Sequence, residues 1–169
     1  AQNTFGFSSG DVIIFAIVAN IVAGVATIGV GRLDDRFGPR NVIMASLGIL
    51  VVAGVLVFLL HSAGTAAFWV LGLLLSACVG PAQSAARSFL ARLIPEGQEG
   101  EIFGLYATTG RAVSFMAPMM YGVFIYLGTR VVGPGASYWG ILGIVAVLAT
   151  GLLLMLRVGD PVADEEPAA

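Results

Sequence analysis

The stretch Gly31-Arg32-Leu33-Asp34-Asp35-Arg36-Phe37-Gly38-Pro39-Arg40 decides how this chain is read. It is a dense cluster of opposite charges, and it holds three of the chain's eight basic residues, all of them arginines. Long apolar runs flank it, Val12–Val30 on one side and Val42–Leu60 on the other. A short charged hairpin between two runs of membrane length reads as a loop at one face of a bilayer.

Composition agrees. Only 11% of the 169 residues are charged and 58% are hydrophobic. Soluble domains carry about a quarter charged residues. A surface this poor in charge cannot be solvated by water, so the solvent is lipid. The net charge of −2 offers no basic surplus for nucleic acid. The single cysteine, Cys78, lies inside an apolar run and reads as a small buried hydrophobe. With one cysteine and one histidine, His61 at the end of an apolar run, there is no metal-ligand spacing and no cofactor is expected. His61, beside Ser62, reads as an interfacial loop residue. No basic leader with a cleavage site precedes the first apolar run, so Ala1–Gly10 reads as the continuation of something earlier.

A transmembrane helix needs about 20 apolar residues. Five segments qualify: Asp11–Gly31, Val42–Leu60, Ala66–Ile94, Ile102–Leu127 and Ser137–Leu156. Their length argues against strands, which would be shorter and alternate in polarity. The predicted fold is all-α, a polytopic bundle of five membrane helices. Ser8-Ser9-Gly10-Asp11 resembles a capping box before the first span. Pro95 and Gly97 stop the third, and Glu99 and Glu101 suit the positive end of the fourth helix's dipole. The third span is longer than a bilayer requires, so it tilts or projects from about Arg87 onward. Arginine placement sets orientation. Arg32, Arg36, Arg40, Arg92 and Arg157 fall on one side, and only His61 and Arg130 on the other. Segments 32–41 and 95–101 and the C-terminus are therefore expected in the cytoplasm. The tail, residues 158–169, carries Asp160, Asp164, Glu165 and Glu166 and reads as acidic and disordered.

Inside the spans, small residues mark helix contacts: Gly80, Ser84 and Ser88 in the third, Ala19, Ala23 and Gly24 in the first, Gly140 and Gly143 in the fifth. Pro81 and Pro118 interrupt the hydrogen-bond ladder of their spans. Charges in a bilayer usually face a partner or a cavity. Ser76, Gly80, Gln83 and Arg87 fall within about 60° of one another on a helix. Thr108 and Arg111 share a face with Gly104 and Pro118, and Asn20 shares one with Thr27. Three helices thus each show one polar face, as expected around a water-accessible path. On this reading Asn20, Gln83, Arg87, Thr108 and Arg111 line a solute pathway, with the two arginines as contacts for an anionic or zwitterionic substrate or as parts of a gate. The alternative is that both arginines snorkel to the headgroups.

The charged stretch also carries a family resemblance. Gly31, Asp35-Arg36, Gly38 and Arg40 resemble the signature loop of the major facilitator superfamily, which joins the second and third helices of each six-helix half. Pro39 departs from the pattern, where a basic residue is common. A second segment, Gly80-Pro81-Ala82-Gln83-Ser84-Ala85-Ala86-Arg87-Ser88 through Leu93-Ile94-Pro95, then Phe103-Gly104-Leu105-Tyr106, is similar to the vacuole-effluxer-like branch, whose eukaryotic members are autophagy-related amino-acid effluxers. The resemblance covers nearly the whole chain. It implies a partial major-facilitator fold, with the five spans as helices 8–12 of a twelve-helix transporter and the N-terminal half as missing partner. It implies a secondary transporter of a small polar solute, an amino acid by analogy, working by alternating access. It implies that Gly31 and Gly38 permit a tight turn at both ends, that Asp35 accepts hydrogen bonds from it, and that Arg36 and Arg40 pair across the gate. The membrane would be the plasma membrane of a bacterium or the vacuolar membrane of a eukaryote. A non-transporting five-helix scaffold or partner-binding subunit is the alternative for such a chain, and the upstream reading frame discriminates the two. An intramembrane enzyme would need paired acids or a metal cluster, which the spans lack, so no enzymatic role is expected.

Overall fold

The computed structural model describes residues 9–62, 64–95 and 97–158, the side chains of Ser9, Arg32 and Leu33 aside. Ser8 of the capping box and the acidic tail from residue 159 lie outside the described residues. Among the described residues six α-helices follow one another: α1 Ser9–Phe37, α2 Pro39–Leu59, α3 Thr65–Leu93, α4 Glu99–Val113, α5 Met116–Val132 and α6 Gly140–Leu156, with a 3₁₀ turn at Ala136–Trp139 before the last. They provide five segments long and apolar enough to cross a membrane, because α4 and α5 together make one, Glu99–Val132.

The charged stretch is not an open loop. Helix α1 runs through Arg32–Phe37, and the helical ladder resumes at Pro39, so Gly38 alone separates the two helices. Gly38 has φ +80°, a left-handed conformation that side chains disfavour. Pro39 follows at the first helical position, where its missing N–H costs nothing. Gly31 is helical and has no positive φ, so the expected turn at that end is absent. The cause is local: nothing in Arg32–Phe37 breaks a helix, and charges past the apolar run extend it into the headgroup region. Gly38→Ala is expected to destabilise the fold by about 1–2 kcal/mol, the cost of a left-handed residue. Gly31→Ala is expected to stabilise by about 0.5–1 kcal/mol, because an added Cβ there meets nothing within 4 Å. Paired thermal melts check the opposite signs.

The fourth span breaks at Ser114-Phe115, one turn before Pro118. A proline cannot donate to the carbonyl four residues earlier and its ring crowds that carbonyl. For Pro118 that residue is Ser114, so the break precedes the proline. Ser114 instead closes a tighter turn, its N–H and hydroxyl both donating to the Arg111 carbonyl at 3.2 and 2.7 Å. Pro81, by contrast, is buried inside an α3 that runs unbroken for 29 residues.

Consecutive spans run antiparallel. Helix α3 packs against both α1 and α2, α2 also packs on α6, and α6 packs on α5. At the arginine-bearing end, Val42 and Ile43 of α2 meet Ala85 and Phe89 of α3, with Val30 and Met155 against them. The opposite end is aromatic. Phe15 lies 5.2 Å from both Phe68 and Trp69, and His61 stacks on Tyr138 at 3.9 Å beside Phe58 and Trp139. Aromatic side chains favour the membrane interface, where one edge is apolar and the other wet. Two glycines set the closest approaches. A Cβ on Gly80 would strike the Thr27 hydroxyl and the Ala23 carbonyl of α1, and one on Gly143 would strike the Met120 backbone of α5. Gly24, at a position where small residues mark a contact in the sequence, faces open space.

Candidate functional site

The signature residues gather where α1 meets α2. Asp35 and Arg36 are exposed in the last turn of α1. The Asp35 side chain makes no hydrogen bond among the described residues. The acceptor role expected of it is not formed, because the turn it would serve is helical and already bonded: the Gly38 N–H donates to the Asp34 carbonyl at 3.0 Å. Arg36 lies over the ring of Phe37, 5.5 Å from its centroid. Arg40 reaches across the bundle, its Nε donating to the Val158 carbonyl at 2.8 Å. That bond caps the end of α6 with a cation, which suits the negative end of the helix dipole. One arginine of the stretch thus ties the start of α2 to the exit of the last span.

Asp34 is the residue that the sequence reading passed over. Its Oδ1 is buried without a hydrogen-bond partner among the described residues. It turns into a small cavity with Thr27, Gly31, Pro81 and Ser84, of about 10 Å³. That is the lower bound for one water, which needs roughly 10–15 Å³ and two or more polar partners. The signal was available: Asn20, Thr27 and Asp34 recur every seven residues, which keeps them on one helix face.

The pathway candidates occupy three places. Asn20 meets Ser76 across a cavity of about 250 Å³ between α1 and α3. Each is tied to its own helix, Asn20 to the Ala16 carbonyl at 2.8 Å and Ser76 to that of Gly72 at 2.9 Å. Gln83 and Arg87 lie further along α3, exposed and without hydrogen bond or ion pair among the described residues. Thr108 and Arg111 lie on α4, which has no buried residue. Thr108 donates to the Gly104 carbonyl at 2.8 Å, and the Arg111 guanidinium has no partner among the described residues. Helix α4 makes no substantial packing contact with α1 or α3. The five residues are therefore not gathered into one site within this chain. Helix α4 begins at Glu99, and Glu99 accepts from the Gly97 N–H at 3.1 Å. Arg111 stands twelve residues on, about 18 Å along the helix at 1.5 Å per residue.

The family described as "Vacuole effluxer Atg22 like" matches residues 1–164. The chain belongs to that family. Within it, this Atg22-like chain is 27% identical over 155 residues to "Uncharacterized MFS-type transporter YxiO" of Bacillus subtilis, an alignment covering 92% of the chain and 34% of the relative. It is 38% identical over 72 residues to "Autophagy-related protein 22-1" of Phaeosphaeria nodorum, covering 36% of the chain and 13% of the relative. The Atg22-like chain thus spans about a third of the first relative's length or less of the second's. No solved structure matches it. The vacuole-effluxer-like resemblance is borne out, and the chain is an integral membrane protein of an MFS-type transporter family.

Proposed function

We propose that this chain forms five of the twelve helices, 8–12, of a secondary transporter that moves a small polar solute, an amino acid by analogy with the family name, by alternating access. The observation that carries the reading is α4. An arginine unpaired among the described residues sits well inside a membrane-length segment, on a helix with no buried residue. Leaving an arginine in hydrocarbon costs at least a few kcal/mol, so such residues face water, a partner or a cavity. A water path between this chain and a preceding half of the same protein supplies both, with Arg111 and Thr108 on one wall and Asn20, Gln83 and Arg87 on helices beside it. In this reading the Arg36 and Arg40 end is cytoplasmic, as the arginine asymmetry requires. Membership of a transporter family supports a non-enzymatic role.

Arg111→Ala in the full-length protein is expected to weaken substrate affinity about tenfold, the equivalent of about 1.4 kcal/mol, while the fold is kept because Arg111 contacts nothing that it stabilises. Solute-dependent thermal shifts measure this once a transported solute is in hand. Unchanged affinity removes Arg111 from the pathway. The isolated five-helix chain, with one wall of the path, is expected to give no uptake above empty liposomes.

A further inference from the structure

We propose that the groove between α1 and α2, floored by α3, holds one acyl chain of an anionic phospholipid whose phosphate is bound at Arg36 and Asn41. Helices α1 and α2 both pack closely on α3 but touch each other little. The gap they leave is about 450 Å³, a ligand-sized volume. Its walls include Val30, Phe37, Val42, Ala45, Ile49 and Cys78. A second cavity of about 410 Å³ shares Ala45 and Ile49 and continues past Val52 to Leu56, walled by apolar side chains and Gly48. From Asn41 to Leu56 the two extend along α2 for about 22 Å at 1.5 Å per residue.

The shape selects the occupant. A helix about 10 Å across would displace roughly 1,700 Å³ over that length, against cavities of about 450 and 410 Å³. A string of methylenes fits. Polarity then sets the direction of the chain. Apart from the deeper Ser46 hydroxyl and Cys78 thiol, the polar groups stand at the Phe37 end. Asn41 commits one amide hydrogen to the Phe37 carbonyl at 2.9 Å, leaving the other hydrogen and the oxygen free. The Arg36 guanidinium, 5.5 Å from the centroid of the Phe37 ring, stands over a residue that forms the groove's rim. It has no ion pair among the described residues. A guanidinium over Phe37 and an amide bonded to the Phe37 carbonyl stand at the same end of the groove and supply the donors that a phosphate diester takes. A lipid with net negative charge gains more there than a zwitterionic one, by about fivefold for one arginine near the surface.

The test uses the full-length protein in detergent, with phosphatidylglycerol and phosphatidylcholine at equal concentration. Native mass spectrometry is expected to show phosphatidylglycerol retained about fivefold over phosphatidylcholine. Arg36→Gln is expected to erase that preference. Ala45→Phe, which fills the groove from an exposed position and leaves Arg36 in place, is expected to lose retained lipid, while Ala45→Ser keeps it. Phosphatidylglycerol carrying a diazirine in its acyl tail is expected to modify Cys78 or residues 41–49 of the unmutated protein, which decides the matter even where Ala45→Phe fails to fold. Equal retention of the two lipids, full retention by folded Ala45→Phe, or crosslinks confined to other helices would overturn the proposal.

Discussion

Gly143→Ala is expected to destabilise the bundle by about 3 kcal/mol, the upper end of the range for overpacking. Gly143 is buried where α6 crosses α5, and the atoms that an added methyl would meet belong to the backbone of Met120 and Tyr121. A flexible side chain could swing away from the intruder, but a helix backbone moves only if the two helices separate. In a membrane that separation is costly, since close backbone approach drives helix association where the hydrophobic effect is absent. For a chain of this size, the expected fall in melting midpoint is about 6–12 °C, read by fluorescence-detected melting in detergent. Gly24→Ala is the control: no atom lies within 4 Å of its added Cβ, and no fall is expected. Equal stability of the two variants would mean that α5 and α6 do not cross at Gly143.

Asp35→Ala in the full-length transporter is expected to slow transport at least thirtyfold, about 2 kcal/mol on the switching barrier, with the melting midpoint within a degree or two of the parent. Asp35 is exposed in the last turn of α1 and its side chain has no hydrogen-bond partner among the described residues, so the fold of this chain does not depend on it. It also stands beside the one-residue Gly38 junction, at the end of the bundle where a second half would close against it. On the proposed function, an exposed carboxylate without a partner among the described residues is suited to pair with the preceding half in one state only. Normal uptake by well-folded Asp35→Ala protein would remove the residue from the switch.

Much of this architecture could be read from residue order. The five apolar runs became five membrane-length segments, because uninterrupted apolarity over about 20 residues has few other outcomes. What composition hid was the boundary of a helix. Arg32–Phe37 looked like loop because it is charged, but charge does not break a helix. The junction is set by Gly38 and Pro39: of the two glycines expected to turn the chain, Gly38 does so and Gly31 stays helical. Pro118 showed the complementary effect, moving the break to Ser114-Phe115, since proline acts on the preceding turn. Side-chain type singles out Arg87 and Arg111 as candidates. It did not find Asp34, whose burial depends on how α1 lies against α3 at Gly80. The bond from Arg40 to Val158 spans most of the chain, and no local pattern contains it.

Alternating access makes one demand on α4 that a static bundle does not: the Thr108 and Arg111 face must open to water on each side of the membrane in turn. The direct measurement is labelling of Thr108→Cys, in full-length protein otherwise free of cysteine, by a membrane-impermeant maleimide applied to either side of oriented vesicles. Alternating access predicts labelling from both sides, with Asp35→Ala confining it to one, and none at Ile28→Cys, at an exposed position among the apolar residues of α1. Labelling of Thr108→Cys from one side only in the parent protein, or from neither, would contradict it.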